Sequence, residues 1–139
     1  MKFQPDLTGA ATISGYGPGW VAIGSERITH SLILHASGAQ ANWDCDSFEN
    51  LSAAHFARLI QTTPVPELVI FGSGERLRFP RPQWLRPLIE AHIGVETMDT
   101  PAACRTYNIL AGEGRRVVVA LLQESGKPGA GLTSGAQIE

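Results

Sequence analysis

Three short segments with strand character, separated by segments with helical spacing, constrain the fold of this chain most strongly. They are Leu68–Phe71, Val95–Met98 and Arg116–Leu122, and the last contains three consecutive valines. The continuous apolar run Leu68–Phe71 is typical of a strand that is buried on both faces. Strands that alternate with helices favour a largely parallel sheet with right-handed crossovers. We therefore expect these three segments to lie side by side in one sheet, with helices packed against it.

Helical spacing fills the intervals around these strands. The first predicted helix begins after Ser52, which serves as its N-cap, and ends before a Thr-Thr-Pro turn. The second covers 83–92, where Pro87 removes one intrahelical bond, so we expect the helix either to start late or to kink. The third begins with Thr100 as cap and a proline in its first turn, and Gly112 closes it.

The opening third of the chain is rich in glycine and predicts an additional β layer. Trp20–Ile23 and Glu26–Ile28 flank a Gly-Ser pair, which suits the two-residue loop of a type II′ hairpin. A buried strand follows at Ser31–Leu34, and residues 36–46 are predicted to form a loop with Trp43 anchored inward. The strand and helix order as a whole predicts one α/β domain over residues 1–123, followed by a flexible tail at 124–139.

Composition and charge exclude several classes of protein. The 139 residues are 43% hydrophobic and 17% charged, which is a globular composition. A net charge of -2 and scattered basic residues argue against a nucleic-acid partner and against attraction to an anionic membrane. Two distant cysteines indicate reduced thiols, and the chain opens on no signal or transit peptide pattern. No apolar run approaches about 20 residues, so we expect a cytoplasmic protein without membrane insertion.

The motifs that usually carry chemistry are incomplete here. The sequence Gly-Ser-Gly at 72–74 follows a strand, but the third glycine of a dinucleotide site is replaced by Leu77. The four histidines and two cysteines do not have zinc-ligand spacing. One alternative stays open, that His35, Asp44 and Cys45 converge in space. We predict no catalytic residues, no metal site and no cofactor.

The carboxyl ends of the strands are the expected position of any ligand pocket. In open parallel sheets, ligands bind beyond these strand ends, where helix N-termini attract anions. The loop at 72–74 and the loop that leads into the third helix at 98–100 would meet there, and polar side chains lie further along that helix. The predicted pocket for a small anion consists of Gly72, Ser73, Gly74, Arg78, Asp99, Thr100, Arg105 and Asn108.

An ordered set of motifs resembles one protein family over residues 3–123. The set runs from Ile13-Ser14-Gly15-Tyr16-Gly17 through Glu67–Gly74 and Met98-Asp99-Thr100 to Ala102–Leu110 and Glu113-Gly114-Arg115. It is similar to the uncharacterised-domain family that includes the mitochondrial respiratory complex I assembly factor three and an adipogenesis-associated cytosolic protein.

The resemblance implies a fold and a role. The implied fold is three-layered, with a central mixed, mostly parallel sheet flanked by helices and an additional N-terminal β layer. It further implies that the final strand runs antiparallel to its neighbours. The family supplies no catalytic residues, and this chain looks like a stand-alone bacterial relative.

The resulting prediction is a non-enzymatic interaction or assembly protein connected with respiratory complex I biogenesis. Its expected partners are respiratory-complex subunits or assembly factors, and exposed strand edges would permit a homo-oligomer. The alternative is a small-anion-binding protein or enzyme that uses the pocket at the strand ends.

Overall fold

The computed structural model describes residues 10–124, which form two β-sheets and three α-helices. The strands are β1 (Gly15–Gly17), β2 (Trp20–Ile23), β3 (Glu26–Ile28), β4 (Leu32–His35), β5 (Gln40–Asn42), β6 (Leu68–Gly72), β7 (Gly94–Met98) and β8 (Val117–Leu121). The α-helices are α1 (Ala53–Ala57), α2 (Arg86–Glu90) and α3 (Thr100–Gly112), and 3-10 helices cover Phe48–Asn50, Arg58–Ile60 and Pro82–Leu85. The predicted tail lies outside the described residues, apart from Glu124.

The larger sheet has five strands in the order β5-β4-β8-β6-β7. Strands β7, β6 and β8 are adjacent and mutually parallel, which confirms that the three predicted segments lie side by side. β4 pairs antiparallel with both β5 and β8. The sheet is therefore mixed, as predicted, and β4 is the strand that runs opposite to the other four. The final strand is antiparallel to β4 only, because the α3 crossover returns the chain parallel to β6.

Apolar side chains cover both faces of the five-stranded sheet. Every residue of β4 and β8 is buried, and alternate side chains point to opposite faces. Leu34 and Val119 pack into a cluster with α3 and the smaller sheet. Ile33 and Val118 pack into a second cluster with residues of α1 and α2. Burial on both faces explains why these strands are continuous apolar runs in the sequence.

The smaller sheet, β1-β2-β3, is antiparallel throughout. The predicted hairpin is confirmed, with Ile23 opposite Glu26 and Gly24 at φ +62. The glycine-rich stretch before it is partly a strand rather than a turn. At Gly17, a Cβ would lie 2.5 Å from Trp20 Nε1, so the indole ring requires glycine there.

Two elements differ from the sequence prediction in extent. Strand β5 lies within 36–46, which was predicted to be a loop, and Trp43 is buried as expected. β5 is polar and exposed, so it has no hydrophobic signal and is defined by its pairing with β4. Pro87 lies in the first turn of α2, which confirms the late start of that helix.

The N-termini of two helices correct the predicted caps. Ser52 is in the N-cap position of α1, but its hydroxyl lies 2.9 Å from His55 Nδ1 and caps no backbone amide. In α3 the cap is Asp99, whose carboxylate accepts a hydrogen bond of 2.9 Å from the Ala102 N–H. Thr100 is the first helical residue instead. The carboxylate is the better cap here because it also complements the positive end of the helix dipole.

The last helical residue of α3 is Gly112, which was predicted to be the glycine that closes the helix. Gly114 adopts φ +85, and its N–H donates to the Ala111 carbonyl at 3.0 Å. The Arg115 N–H donates to the Leu110 carbonyl at 3.1 Å. These two bonds form a Schellman motif, which needs a left-handed residue just outside the helix. Gly114, two residues after the predicted stop, therefore ends the helix.

Candidate functional site

The loop after β6 is closed by the side chain of Ser73. This residue is fully buried, and its hydroxyl donates to the Arg76 carbonyl at 2.8 Å while accepting from the Arg78 N–H at 2.9 Å. Its own N–H donates to the Met98 carbonyl at 2.8 Å, which joins the ends of β6 and β7. With both hydroxyl functions occupied, Ser73 holds the loop shape rather than presenting a free nucleophile.

Arg78 links this loop to the end of β8. Its Nη2 atom lies 3.0 Å from Glu124 Oε1 and 2.7 Å from the Ser73 carbonyl oxygen. The guanidinium also lies over the Phe48 ring, 4.8 Å from its centroid. Glu124 in turn accepts a hydrogen bond of 2.9 Å from the Phe48 N–H. The ion pair of Arg78 and Glu124 therefore joins three segments that are remote in sequence, namely the loop after β6, the segment at Phe48 and the segment after β8.

The N-terminus of α3 adjoins the same loop. The Thr100 N–H donates to the Gly74 carbonyl at 2.8 Å, and the Ala103 N–H donates to the Asp99 carbonyl at 2.9 Å. With Ala102 capped by the Asp99 carboxylate, the first amides of the helix have partners within the chain. Gly72, before this loop, has no space for a side chain, since a Cβ there would lie 3.1 Å from the Ala103 Cβ.

The other two predicted pocket residues face a different part of the fold. Asn108 accepts from the Ile13 N–H and donates to the Ile13 carbonyl, both at 2.8 Å. The Arg105 Nη1 atom donates to the Tyr16 hydroxyl at 3.0 Å. The neighbouring Tyr107 hydroxyl donates to a backbone carbonyl at 2.6 Å, and burial raises the pKa of this phenol. These side chains hold the N-terminal segment against α3.

The eight predicted pocket residues therefore form two groups. Hydrogen bonds join Ser73 to Arg78 and Gly74 to Thr100 around the loop after β6, with Gly72 at the end of β6 and Asp99 as the cap of α3. Arg105 and Asn108 bind the segment that leads into the smaller sheet. An anion pocket that uses all eight stays a prediction.

A polar cleft of about 410 Å³ lies at the same edge of the sheet, displaced toward β4 and β5. Leu121 of β8 is opposite both Gly72 of β6 and Leu32 of β4, and Leu32 is also opposite Asn42 of β5. The start of β4 and the end of β5 thus meet the carboxyl ends of β6 and β8. The cleft is lined by Thr29, His30, Ser31, Asn42, Trp43, Asp44, Cys45, Asp46, Asn50, His55 and Gln123.

His55 organises the wall of this cleft. Its Nε2 atom lies 2.9 Å from the Asp44 carbonyl oxygen, and its own carbonyl accepts from Trp43 Nε1 at 3.1 Å. On the opposite wall, Gln123 Nε2 donates to two carbonyls, those of Ile28 at 3.0 Å and His30 at 2.9 Å. The polar groups are consequently engaged in joining loops.

The Cys45 thiol in the cleft is not activated. Burial raises its pKa, and the carboxylates of Asp46, Asp44 and Glu124 add to this effect, although a hydrogen bond with the Ser47 backbone opposes it. A thiol with a raised pKa is a poor nucleophile at neutral pH. Within residues 10–124, no three His, Cys, Asp or Glu side chains are placed to hold a metal ion.

Sequence reasoning identified this cleft only in part. Asp44 and Cys45 do lie together, but His35 is buried elsewhere, with Nε2 2.8 Å from the Pro64 carbonyl oxygen. His55 lies beside them instead. Gln123 and the start of β4 are more than 90 residues apart in the chain. Only the antiparallel pairing of β4 with β8 brings them together, and no local pattern encodes that contact.

The fold and the site define a small mixed α/β protein whose polar side chains mainly hold segments together. Residues 13–122 match the model of a family described as "protein of unknown function (DUF498/DUF598)". The chain belongs to this family.

Several curated proteins are similar to the chain. The bovine NADH dehydrogenase [ubiquinone] 1 alpha subcomplex assembly factor 3 is 34% identical over 86% of this chain and 62% of its own length. The chain thus spans less than two thirds of that relative. An uncharacterized protein of Rhodobacter capsulatus is 36% identical over 88% of this chain and 93% of its own length. A Francisella tularensis protein named 13 kDa major membrane protein is 30% identical over 63% and 71%.

Solved structures show the same fold. A Bordetella parapertussis protein has a TM-score of 0.77 and 37% identity, with 83% of this chain and 97% of that chain covered. A Bordetella pertussis protein described as an Mth938-like domain has a TM-score of 0.71 and 33% identity over 83% and 87%. A Bartonella henselae protein described as an outer membrane protein has a TM-score of 0.73 and 27% identity over 85% and 98%. Among residues 10–124, no helix has the length and apolar character needed to cross a bilayer.

Proposed function

We propose that this chain is a non-enzymatic interaction protein that assists the assembly of a respiratory complex related to complex I. The observation that carries the proposal is the match to the bovine assembly factor over 86% of this chain. The role of that relative is carried over to this chain as a proposal, because only 62% of the relative is covered.

The state of the reactive side chains supports an interaction role. The Ser73 hydroxyl makes two hydrogen bonds inside its own loop. Burial raises the pKa of the Cys104 thiol to about 12, and the Cys45 pKa is raised as well. A nucleophile needs a lowered pKa or an adjacent base, and these groups are shifted in the opposite direction. These groups therefore favour a role in which the scaffold presents a rigid surface.

We further infer a three-layer arrangement in which the five-stranded sheet is the middle layer. One outer layer consists of α3 and the smaller sheet, and the other consists of the shorter helices α1 and α2. The apolar clusters on the two faces of the sheet support it. We also propose that the chain works from the cytoplasmic side of a membrane. The support is the cytoplasmic location expected from the sequence, together with similar proteins whose names refer to membranes or to NADH dehydrogenase assembly.

The experiment is affinity purification of the tagged full chain from its native host, followed by mass spectrometry. We expect enrichment of respiratory-complex subunits or assembly factors over a tag-only control. The Asn108→Ala variant, in which the N-terminal segment loses its two bonds to α3, should recover fewer of them. Recovery of no such protein, with normal complex I in a deletion strain, would reject the proposal.

We propose the small-anion pocket as a second candidate, because one atom of Arg78 favours it. Its Nε is buried and has no hydrogen-bond partner among the described residues, while its Nη atoms bind Glu124 and Ser73. A buried N–H without an acceptor is costly, and an anion would supply one. The pocket would draw on Gly72–Gly74, Asp99 and Thr100, with Arg105 and Asn108 further along the helix.

Thermal shifts with inorganic phosphate and sulfate test this second candidate. Binding to the folded state alone stabilises it by RT ln(1 + L/Kd), where L is the ligand concentration, so the melting temperature rises with that concentration. We expect Arg78→Gln to abolish the anion-dependent shift and the control Arg58→Gln to retain it. An equal shift in the wild type and in Arg78→Gln would reject the pocket.

A further inference from the structure

Positive charge is concentrated in one segment that the overall composition hides. The eleven residues from Arg76 to Arg86 contain four arginines and no acidic residue, although the chain has a net charge of -2. Arg78 is neutralised by Glu124, but the other three arginines are exposed. The expectation of scattered basic residues is therefore wrong for this segment, which we call the basic segment (76–86).

The basic segment also carries exposed apolar side chains. Phe79 is 70% exposed and Leu77 is 51% exposed, and Phe79 is the most exposed large hydrophobic side chain in the described chain. Burial alternates along the segment, since Arg78 is partly buried and Pro80 is buried. Alternation of this kind directs Leu77 and Phe79 outward, next to the exposed arginines.

The base of the segment is held in place before any partner arrives. The Arg78 N–H and guanidinium bind Ser73, and the guanidinium also binds Glu124. Arg81 lies over the Trp84 ring, 5.4 Å from its centroid, and Trp84 is buried against the core. A preorganised surface loses less conformational entropy when it binds.

We propose that the basic segment docks this protein on the surface of a bilayer that contains anionic lipid. Phe79 and Leu77 enter the boundary between headgroups and acyl chains, and Arg76, Arg81 and Arg86 bind lipid phosphates. This combination of apolar insertion and electrostatic attraction is the general basis of interfacial binding. The inference deepens the proposed function and rests on it, because it supplies the surface by which an assembly protein reaches a membrane complex.

Charge distribution favours a lipid surface over a protein partner. Because the rest of the chain is negatively charged, an extended anionic surface attracts the basic segment and repels the remainder. This orients the molecule with Phe79 toward the membrane before contact. The described residues contain no helix able to span the bilayer, so the contact proposed is peripheral.

Vesicle co-sedimentation with the purified full chain tests the proposal. The probes are vesicles of phosphatidylcholine alone and an equimolar mixture of phosphatidylcholine and phosphatidylglycerol. We expect binding to the anionic vesicles, weakened at about 0.15 M salt, and at least about tenfold weaker binding to the neutral vesicles. Absence of binding to anionic vesicles at low salt would overturn the proposal, as would equal binding to both.

Matched variants identify the surface. Phe79→Ser should weaken binding about tenfold, and Arg76→Gln with Arg86→Gln about fivefold for each arginine. The controls are Val65→Ser and Ile109→Ser, which remove side chains that are 55% and 61% exposed elsewhere. Circular dichroism melts verify that each variant is folded. Unchanged binding of the folded Phe79→Ser variant, or an equal loss in the controls, would overturn the proposal.

The outcomes separate this inference from the proposed function. Vesicle binding by the purified chain depends on no partner protein, whereas complex assembly is measured in cells. A chain that binds anionic vesicles but leaves complex I unchanged on deletion would retain the lipid surface and refute the assembly role. A chain that supports complex I assembly but does not bind anionic vesicles would refute the proposal of a lipid-binding surface and favour a protein partner for Phe79.

Discussion

Two hydrogen bonds between Asn108 and Ile13 link α3 to the N-terminal segment. The amide accepts from the Ile13 N–H and donates to its carbonyl, both at 2.8 Å and partly buried. Asn108→Ala removes both bonds and leaves two backbone groups without partners. Each bond contributes about 1 kcal/mol, and each partner left unsatisfied adds a desolvation cost, so we expect a loss of about 2–4 kcal/mol.

Urea unfolding followed by tryptophan fluorescence measures this loss as a change in the free energy of unfolding. Arg105→Ala is the matched control on the same helix, because it breaks an exposed bond to the Tyr16 hydroxyl and should change stability little. If Asn108→Ala unfolds within about 0.5 kcal/mol of the wild type, the reasoning about this link is refuted.

Three further predictions concern packing, thiol reactivity and pH. Gly72→Ala places a Cβ 2.6 Å from a leucine methyl and should cost about 1–3 kcal/mol in urea melts, whereas Gly112→Ala, with open space around it, should not destabilise. A maleimide should label Cys45 in the folded protein but Cys104, whose pKa burial raises to about 12, only after unfolding, as mass spectrometry would reveal. Hydrogen bonds from the Arg115 side chain and the Arg116 backbone amide lower the pKa of Glu67. The contribution of Glu67 to stability is therefore present above the ordinary carboxyl pKa and is lost as pH falls through the lowered value. Thermal melts of Glu67→Gln measured against pH should lack this loss.

The parts of the fold that hydrophobic pattern controls could be predicted from the sequence. The apolar segments that form β6 and β8 are buried, so their hydrophobic pattern indicated strands in the interior of the sheet, whereas the edge strand β7 is only partly buried. The II′ hairpin was predictable because Gly24 must adopt a positive φ.

Elements that depend on pairing or capping geometry were not predictable in the same way. Strand β5 is polar and exposed, and only its partner β4 defines it. Asp99 and Thr100 are both acceptable caps in sequence, and the position of the first helical turn decides between them. At the other end of α3, Gly112 and Gly114 are both acceptable terminating residues in sequence, and the position of the last helical turn decides for Gly114.

The candidate site shows the same division. Sequence located a polar edge at the strand ends, and the cleft does lie at that edge. It assigned Arg78 to a ligand because this side chain could reach the strand ends, whereas its partner Glu124 is 46 residues away in the chain. His55 was overlooked because its contact with Asp44 depends on how two loops fold against each other.

The central claim is that this scaffold acts through its surface in building a respiratory complex. The most direct measurement is the amount of fully assembled complex I in membranes of a deletion strain, resolved on native gels and compared with the same strain carrying the wild-type gene. The proposed function predicts a deficit that the wild-type gene restores and the Cys45→Ser variant restores equally, since that thiol is not activated. Normal amounts of assembled complex in the deletion strain would contradict it.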